Sequence, residues 1–206
     1  MVEVRTEYII VIETLLLLFL QFGEKIMPSN FAARKICHAG TGALMLLLNS
    51  KDWLARWFVY TLSITSIALT WNVLPKWVPQ FRFGEMYDAG ITIYLMIVHF
   101  WFFFRMPTRA LAPLFFADPA GAVVGKFFSR RNMNYAWYGK KTVLGSLAVC
   151  FFAFISLDVP GALARAILAV LCALAEAYGG TRFDNAAISV IVIGSWLYYH
   201  QDSLQS

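Results

Sequence analysis

Apolar residues run in long stretches, and most charges are confined to the short segments between them. The stretches cover residues 8–22, 34–48, 53–74, 91–104, 111–128, 142–157, 162–178 and 186–199. A helix needs about 20 apolar residues to cross a hydrocarbon core of about 30 Å. Backbone donors and acceptors at that depth must be satisfied within the chain, which leaves the helix or the closed barrel. The run lengths suit helices. The expected fold is all-α: a polytopic membrane protein with about seven or eight transmembrane helices, some short or broken. No linker divides the chain, so residues 1–206 are expected to form one integral membrane domain.

Composition agrees. The 206 residues are 60% apolar and 14% charged, where soluble domains carry about 25% charged residues. The net charge of +5 comes from basic residues gathered in loops. That pattern describes membrane topology and needs no nucleic-acid partner. Cys37, Cys150 and Cys172 stand apart with no CxxC spacing. They read as small packing residues, without a disulfide framework or a zinc site. The N-terminus carries Glu3 and Glu7 and has no evident small-residue cleavage site, so the first apolar run is expected to be a retained helix.

Against this background the polar residues inside apolar runs carry the information. A charge at membrane depth is costly and points to function. Asp118 is one, followed at once by Pro119, which lacks a backbone donor and is expected to break or kink the helix beside the carboxylate. Gly121 and Gly125 follow at small-xxx-small spacing. Then come Lys126, Arg130, Arg131, Lys140 and Lys141, and a Thr-x-x-Gly-Ser segment, read as a turn, from Thr142 to Ser146. Basic side chains neutralise a polyphosphate, and small residues let backbone N–H groups approach its oxygens. A nearby carboxylate suits the magnesium that such a ligand carries. The same residues also describe a glycine pair that packs helices, followed by an ordinary cytoplasmic basic loop.

Other positions are less distinctive. Glu13 lies in the first run and must face other helices at that depth. A polar loop is expected over residues 23–35, with Ser29 or Asn30 capping the next helix. His38 stands one turn beyond Arg34, beside Lys35, Gly40 and Gly42. These residues suit either an interfacial anchor or a binding face. Glu85 and Asp88 are three apart and share a helix face. They read as metal or acid/base groups, or as acids stabilised at a helix N-terminus. His99 reads as a packed residue.

Alternating eight spans provides a test of where these residues gather. With the N-terminus outside, the inner loops hold Lys25, Arg34, Lys35, Lys76, Arg82, Lys126, Arg130, Arg131, Lys140, Lys141 and Arg182. The outer side holds Arg5, Lys51, Arg56, Arg105, Arg109 and Arg165, giving eleven against six. The positive-inside rule favours this orientation. It brings His38, Glu85, the segment 117–146, Glu176 and Asp184 to the cytoplasmic side, and a cytoplasm-facing nucleotide site centred on 117–146 is expected.

Three blocks in order resemble the CTP-dependent lipid-alcohol kinases, which include phytol, dolichol and yeast-type diacylglycerol kinases. The blocks are Arg34-Lys35-x-x-His38-x-x-x-Gly42; Asp118-Pro119 through Gly125-Lys126 to Lys140-Lys141-Thr142-x-x-Gly145-Ser146; and Glu176 followed by Asp184-Asn185. Members of the family often carry Gly before the aspartate, where this chain has Ala117. The resemblance implies a multi-pass helical enzyme that uses CTP and Mg2+ to phosphorylate the hydroxyl of a membrane lipid alcohol, giving a lipid phosphate and CDP. It implies that Asp118 holds the metal with Glu176 or Asp184, and that Arg34, Lys35, Lys126, Lys140 and Lys141 grip the triphosphate. Gly121, Gly125, Thr142, Gly145 and Ser146 complete the nucleotide site. The general base stays open among His38, Glu85 and Asp118. The related CDP-lipid synthases share this style of nucleotide site, so a cytidylyltransferase is the alternative. A non-catalytic transporter or lipid-binding protein is the second.

Overall fold

The computed structural model describes residues 5–202, except Lys76, Phe83, Glu85 and Thr181. The described chain is mostly helical. It divides into two compact units, Met1–Thr108 and Arg109–Ser206.

The first unit contains α1 (Thr6–Phe22), α2 (Asn30–Met45), α3 (Trp53–Thr70) and α4 (Ala89–Phe103). Side chains start three of them. Ser29 Oγ accepts from the Ala32 N–H at 3.3 Å, so α2 begins well inside the expected loop. Asp52 accepts from Leu54 N–H at 3.0 Å, and Asp88 from Ile91 N–H at 3.0 Å. Each cap satisfies a backbone donor that the first helical turn leaves orphaned. α1 packs on α2 and α3, and α3 on α4. Arg82 ties the loop before α4 to the α1–α2 corner. Its guanidinium donates to Leu20 O and Asn30 Oδ1, both at 3.1 Å, and also to Met27 O.

The second unit contains α5 (Ala112–Ser129), β1 (Ala136–Tyr138), β2 (Lys141–Thr142), α6 (Val143–Ser156), α7 (Ala162–Gly179) and α8 (Asp184–Tyr199). Successive helices pack on one another, and α8 returns onto α5 to close a four-helix bundle. Pro119 lies inside α5 without ending it. Proline removes one backbone hydrogen bond, and the helix is carried through by the bonds on either side and by its packing against α6 and α8.

Two features of this unit differ from the sequence reading. The basic segment is not simply a loop: β1 and β2 form an antiparallel hairpin, with Tyr138 opposite Lys141. Gly139 takes φ +52° in its turn, a conformation glycine adopts without a Cβ clash. Thr142 to Ser146 is also not a turn. Thr142 Oγ1 accepts from Gly145 N–H at 3.3 Å as the cap of α6, and Gly145 and Ser146 lie within the helix.

Two helical segments of the described residues are long and apolar enough to cross a membrane, Thr108–Ser129 and Ala162–Gly179. Ala89–Phe103 and Val143–Ser156 are apolar but shorter. Two helices bury an acid and expose aliphatic side chains. α7 buries Ala169, Cys172, Ala173, Glu176 and Ala177 and exposes Leu163, Ile167, Val170, Leu171 and Leu174. α1 buries Ile9, Glu13 and Leu20 and exposes Val11, Ile12, Leu15, Leu18 and Phe22.

Candidate functional site

Glycine packing builds the site. A Cβ on Gly121 would lie 2.4 Å from Val149 Cγ2 and 3.2 Å from Gly145 O. A Cβ on Gly145 would lie 3.0 Å from Gly121 O and 3.4 Å from Gly125 Cα. These glycines let the backbones of α5 and α6 touch, as small residues do between membrane helices. Gly121, Gly125 and Gly145 therefore act first as packing residues, because their bare faces are taken up by the helix contact.

Asn134 secures the same pair of helices. Its Nδ2 donates to Gly125 O at 3.2 Å, and its Oδ1 accepts from Leu144 N–H at 3.1 Å. Sequence reading missed this residue. An asparagine just before a run of strand-forming aromatics is a weak sign by itself. Ser146 Oγ accepts from Trp137 Nε1 at 2.9 Å, which fixes β1 to α6.

A second close approach sets α7 against α8. A Cβ on Gly179 would lie 2.7 Å from Asp184 Cα. Gly180 follows with φ +71°. This tight corner brings the first residue of α8 beside the last turn of α7, and so Asp184 beside Glu176.

Asp118 of α5, Glu176 of α7 and Asp184 of α8 thus meet. All three are buried, and one carboxylate oxygen from each lies within 4.8 Å of the others. Lys141 of β2 enters the cluster. Its Nζ donates to Glu176 Oε1 and lies 3.6 Å from Asp184 Oδ2. Its side chain is 17% exposed.

The electrostatics define what such a site holds. Two like charges about 4 Å apart repel by about 4 kcal/mol at an effective dielectric of 20. Three ionised carboxylates and one ammonium leave a net charge of −2, which one divalent cation neutralises. The donors are all hard oxygens, which suit magnesium or calcium more than zinc.

The other basic residues differ in exposure. Lys140 is exposed at the hairpin turn, Arg130 and Arg131 are exposed just after α5, and Lys126 is half-buried in its last turn. Arg131 lies over the Phe127 ring at 3.8 Å, a cation–π contact.

Arg34, Lys35 and His38 belong to the first unit, on α2. Arg34 Nη1 pairs with Asp88 Oδ2 at 2.8 Å, while the other oxygen of Asp88 caps α4. Asp88 therefore takes the helix N-terminal role of the two weighed for it. The His38 ring meets the Tyr94 ring edge-on at 4.4 Å, and Lys35 is half-buried. His99 stacks against Tyr60 at 4.6 Å. Glu85 lies outside the described residues.

No protein-family model, curated protein or solved structure matches this chain. The functional reading stands on the residues and their geometry.

Proposed function

We propose that this protein is a multi-pass membrane phosphotransferase that transfers the γ-phosphate of CTP to the hydroxyl of a lipid alcohol. The observation that carries the reading is the buried meeting of Asp118, Glu176 and Asp184 with Lys141. It is a dense, hard-oxygen, net-negative site inside an apolar bundle, with exposed Lys140, Arg130 and Arg131 nearby in sequence. Enzymes of phosphoryl transfer need such an arrangement of cation ligands and ammonium groups, because they position and neutralise charge more than they form covalent bonds.

The membrane reading is supported by the two long apolar helical segments and by the inverted surfaces of α1 and α7. In water an amphipathic helix turns its polar side out. Here the acids turn inward and leucines outward, which lowers free energy when the surroundings are hydrocarbon. The basic count of eleven against six favours a cytoplasmic site.

Magnesium bound at the three carboxylates would supply neutralisation of phosphate charge. The residues divide the remaining work. Asp118, Glu176 and Asp184 hold the cation-binding position. Lys141 balances charge between the carboxylates and the nucleotide. Lys126 and Lys140 draw in the triphosphate. The lipid oxygen forms a bond to the γ-phosphorus, the bond from that phosphorus to the β,γ-bridging oxygen breaks, and CDP leaves. Within the second unit, Asp118 is the candidate to take the hydroxyl proton.

The test uses purified protein in nanodiscs with magnesium, a long-chain isoprenoid alcohol or diacylglycerol, and CTP labelled at either phosphate. Label from the γ-position is expected in the lipid. Label from the α-position, with pyrophosphate released from a lipid phosphate acceptor, would replace this reading with a cytidylyltransferase. Absence of transfer from both positions in folded protein would overturn the enzyme reading.

A further inference from the structure

Among the described residues, Glu13 is the one fully buried acid that the proposed chemistry does not use. It lies near the middle of α1 and is 0% exposed. Neither of its carboxyl oxygens has a hydrogen-bond partner among the described residues. An unmet carboxyl in an apolar interior costs on the order of several kcal/mol. Buried polar atoms are satisfied in the great majority of cases, and an exception points to a missing partner.

The surroundings narrow what that partner is. Glu13 shares the inward stripe of α1 with Ile9 and Leu20. The facing stripe of α2 is small: Ala33, Cys37 and Gly40 follow at helical spacing, and a Cβ on Gly40 would already lie 3.0 Å from Leu16 Cδ2. The Cys37 thiol and the Tyr94 hydroxyl are within electrostatic reach of Glu13, and Thr41 hydrogen-bonds Tyr94. Arg34, the nearest cation on α2 in sequence, is committed to Asp88 at 2.8 Å. Among the described residues Glu13 belongs to no group of three or more ligating side chains, such as a divalent ion takes. One carboxyl amid hydroxyl, thiol and aliphatic groups suits a neutral O–H donor attached to an apolar body. The outer face of α1 (Val11, Ile12, Leu15 and Leu18) is apolar and exposed, as suits a helix that borders hydrocarbon.

We propose that Glu13 is a receptor for the hydroxyl of a long-chain lipid alcohol, held within the first unit between α1 and α2. This deepens the reading of the protein as one that handles lipid alcohols, and it requires binding only, not phosphoryl transfer.

The experiment uses the full chain in nanodiscs and a diazirine-bearing hexadecanol as photoprobe. Unlabelled hexadecan-1-ol and hexadecyl methyl ether compete for labelling of α1 and α2 peptides. The ether keeps the chain and loses the donor. In wild-type protein the alcohol is expected to compete about 10-fold better than the ether, the equivalent of one hydrogen bond of about 1.4 kcal/mol. Glu13→Gln keeps an acceptor and is expected to keep most of the preference. Glu13→Leu is expected to bind both equally and to melt no lower than wild type, because it replaces an unmet polar group with an apolar one. Equal competition in wild type overturns the proposal, as does a retained preference in Glu13→Leu. A Glu13→Leu protein that melts well below wild type also overturns it, since Glu13 would then be an internal structural group. Binding selectivity without label transfer from CTP would remove the phosphotransfer reading and leave this one standing.

Discussion

Lys141 and Glu176, 35 residues apart, are joined by a hydrogen bond from the lysine Nζ to a glutamate oxygen inside the second unit. The lysine comes from a hairpin strand and the glutamate from the last turn of α7. Their meeting depends on Thr142 capping α6 immediately after the strand, which directs the chain from hairpin into helix.

Removing that ammonium leaves the carboxylates facing one another. Lys141→Met is expected to lower stability by about 3 kcal/mol, the low end for breaking a buried pair because the lysine is 17% exposed. Divalent cation should restore part of the loss by binding the folded state. Thermal melts with and without magnesium measure both effects. A melt unaffected by the substitution and by magnesium would contradict the charge balance drawn for the site.

Asp118→Asn removes one proposed cation ligand while keeping shape. Label transfer from CTP is expected to fall at least about 100-fold, and manganese binding followed by electron paramagnetic resonance to weaken at least about 10-fold. The protein should remain folded, because relief of carboxylate repulsion offsets the lost charge. Full manganese affinity in this variant would remove Asp118 from the metal set.

The two helical glycines Gly145 and Gly194 should respond oppositely to alanine. At Gly145 the new methyl would lie 2.8 Å from Thr142 Oγ1 and 3.0 Å from Gly121 O, and a loss of about 1–3 kcal/mol is expected from overpacking. At Gly194 nothing lies within 4 Å, and alanine should stabilise α8 by about 0.5–1 kcal/mol. Equilibrium unfolding of the two variants decides. Equal effects would show that α5 and α6 are not in backbone contact.

The proposed eight-span arrangement predicts opposite sides for two loops. Single cysteines near Arg131 and near Asp158, in a background lacking Cys37, Cys150 and Cys172, should react with membrane-impermeant reagent from opposite faces. Labelling from the same face would break the alternation, and with it the gathering of basic residues on one side.

Much of the local structure was legible because it depends on near neighbours. Apolar run length marked all eight helices, with ends displaced by a few residues where caps act, as at Ser29. Asp118 could be selected because an acid is rare in apolar sequence, while Glu176 and Asp184 stood out as the third block of the family resemblance. The hairpin was not legible: Lys140 and Lys141 read as phosphate-binding residues or as a basic loop, with no strand expected there, and the strand signal in Ala136–Tyr138 is only three residues long. Whether Gly121 and Gly125 faced a phosphate or a helix was equally open, since glycine permits close approach to either.

The sequence by itself determined the helical class, the helix order and the two acids set within apolar runs, Glu13 and Asp118, because run length and the cost of charge in apolar surroundings act within a single segment. Only the tertiary structure decided which acids meet. Asp118, Glu176 and Asp184 are brought together by two backbone contacts, Gly121 to Gly145 and Gly179 to Asp184. It also separated Glu13, buried with no hydrogen-bond partner, from Asp88, buried but engaged by Arg34 and the start of α4. The physical reason is that a carboxylate's partners are set by distance in space, and residues far apart in the chain reach that distance only after the helices have packed.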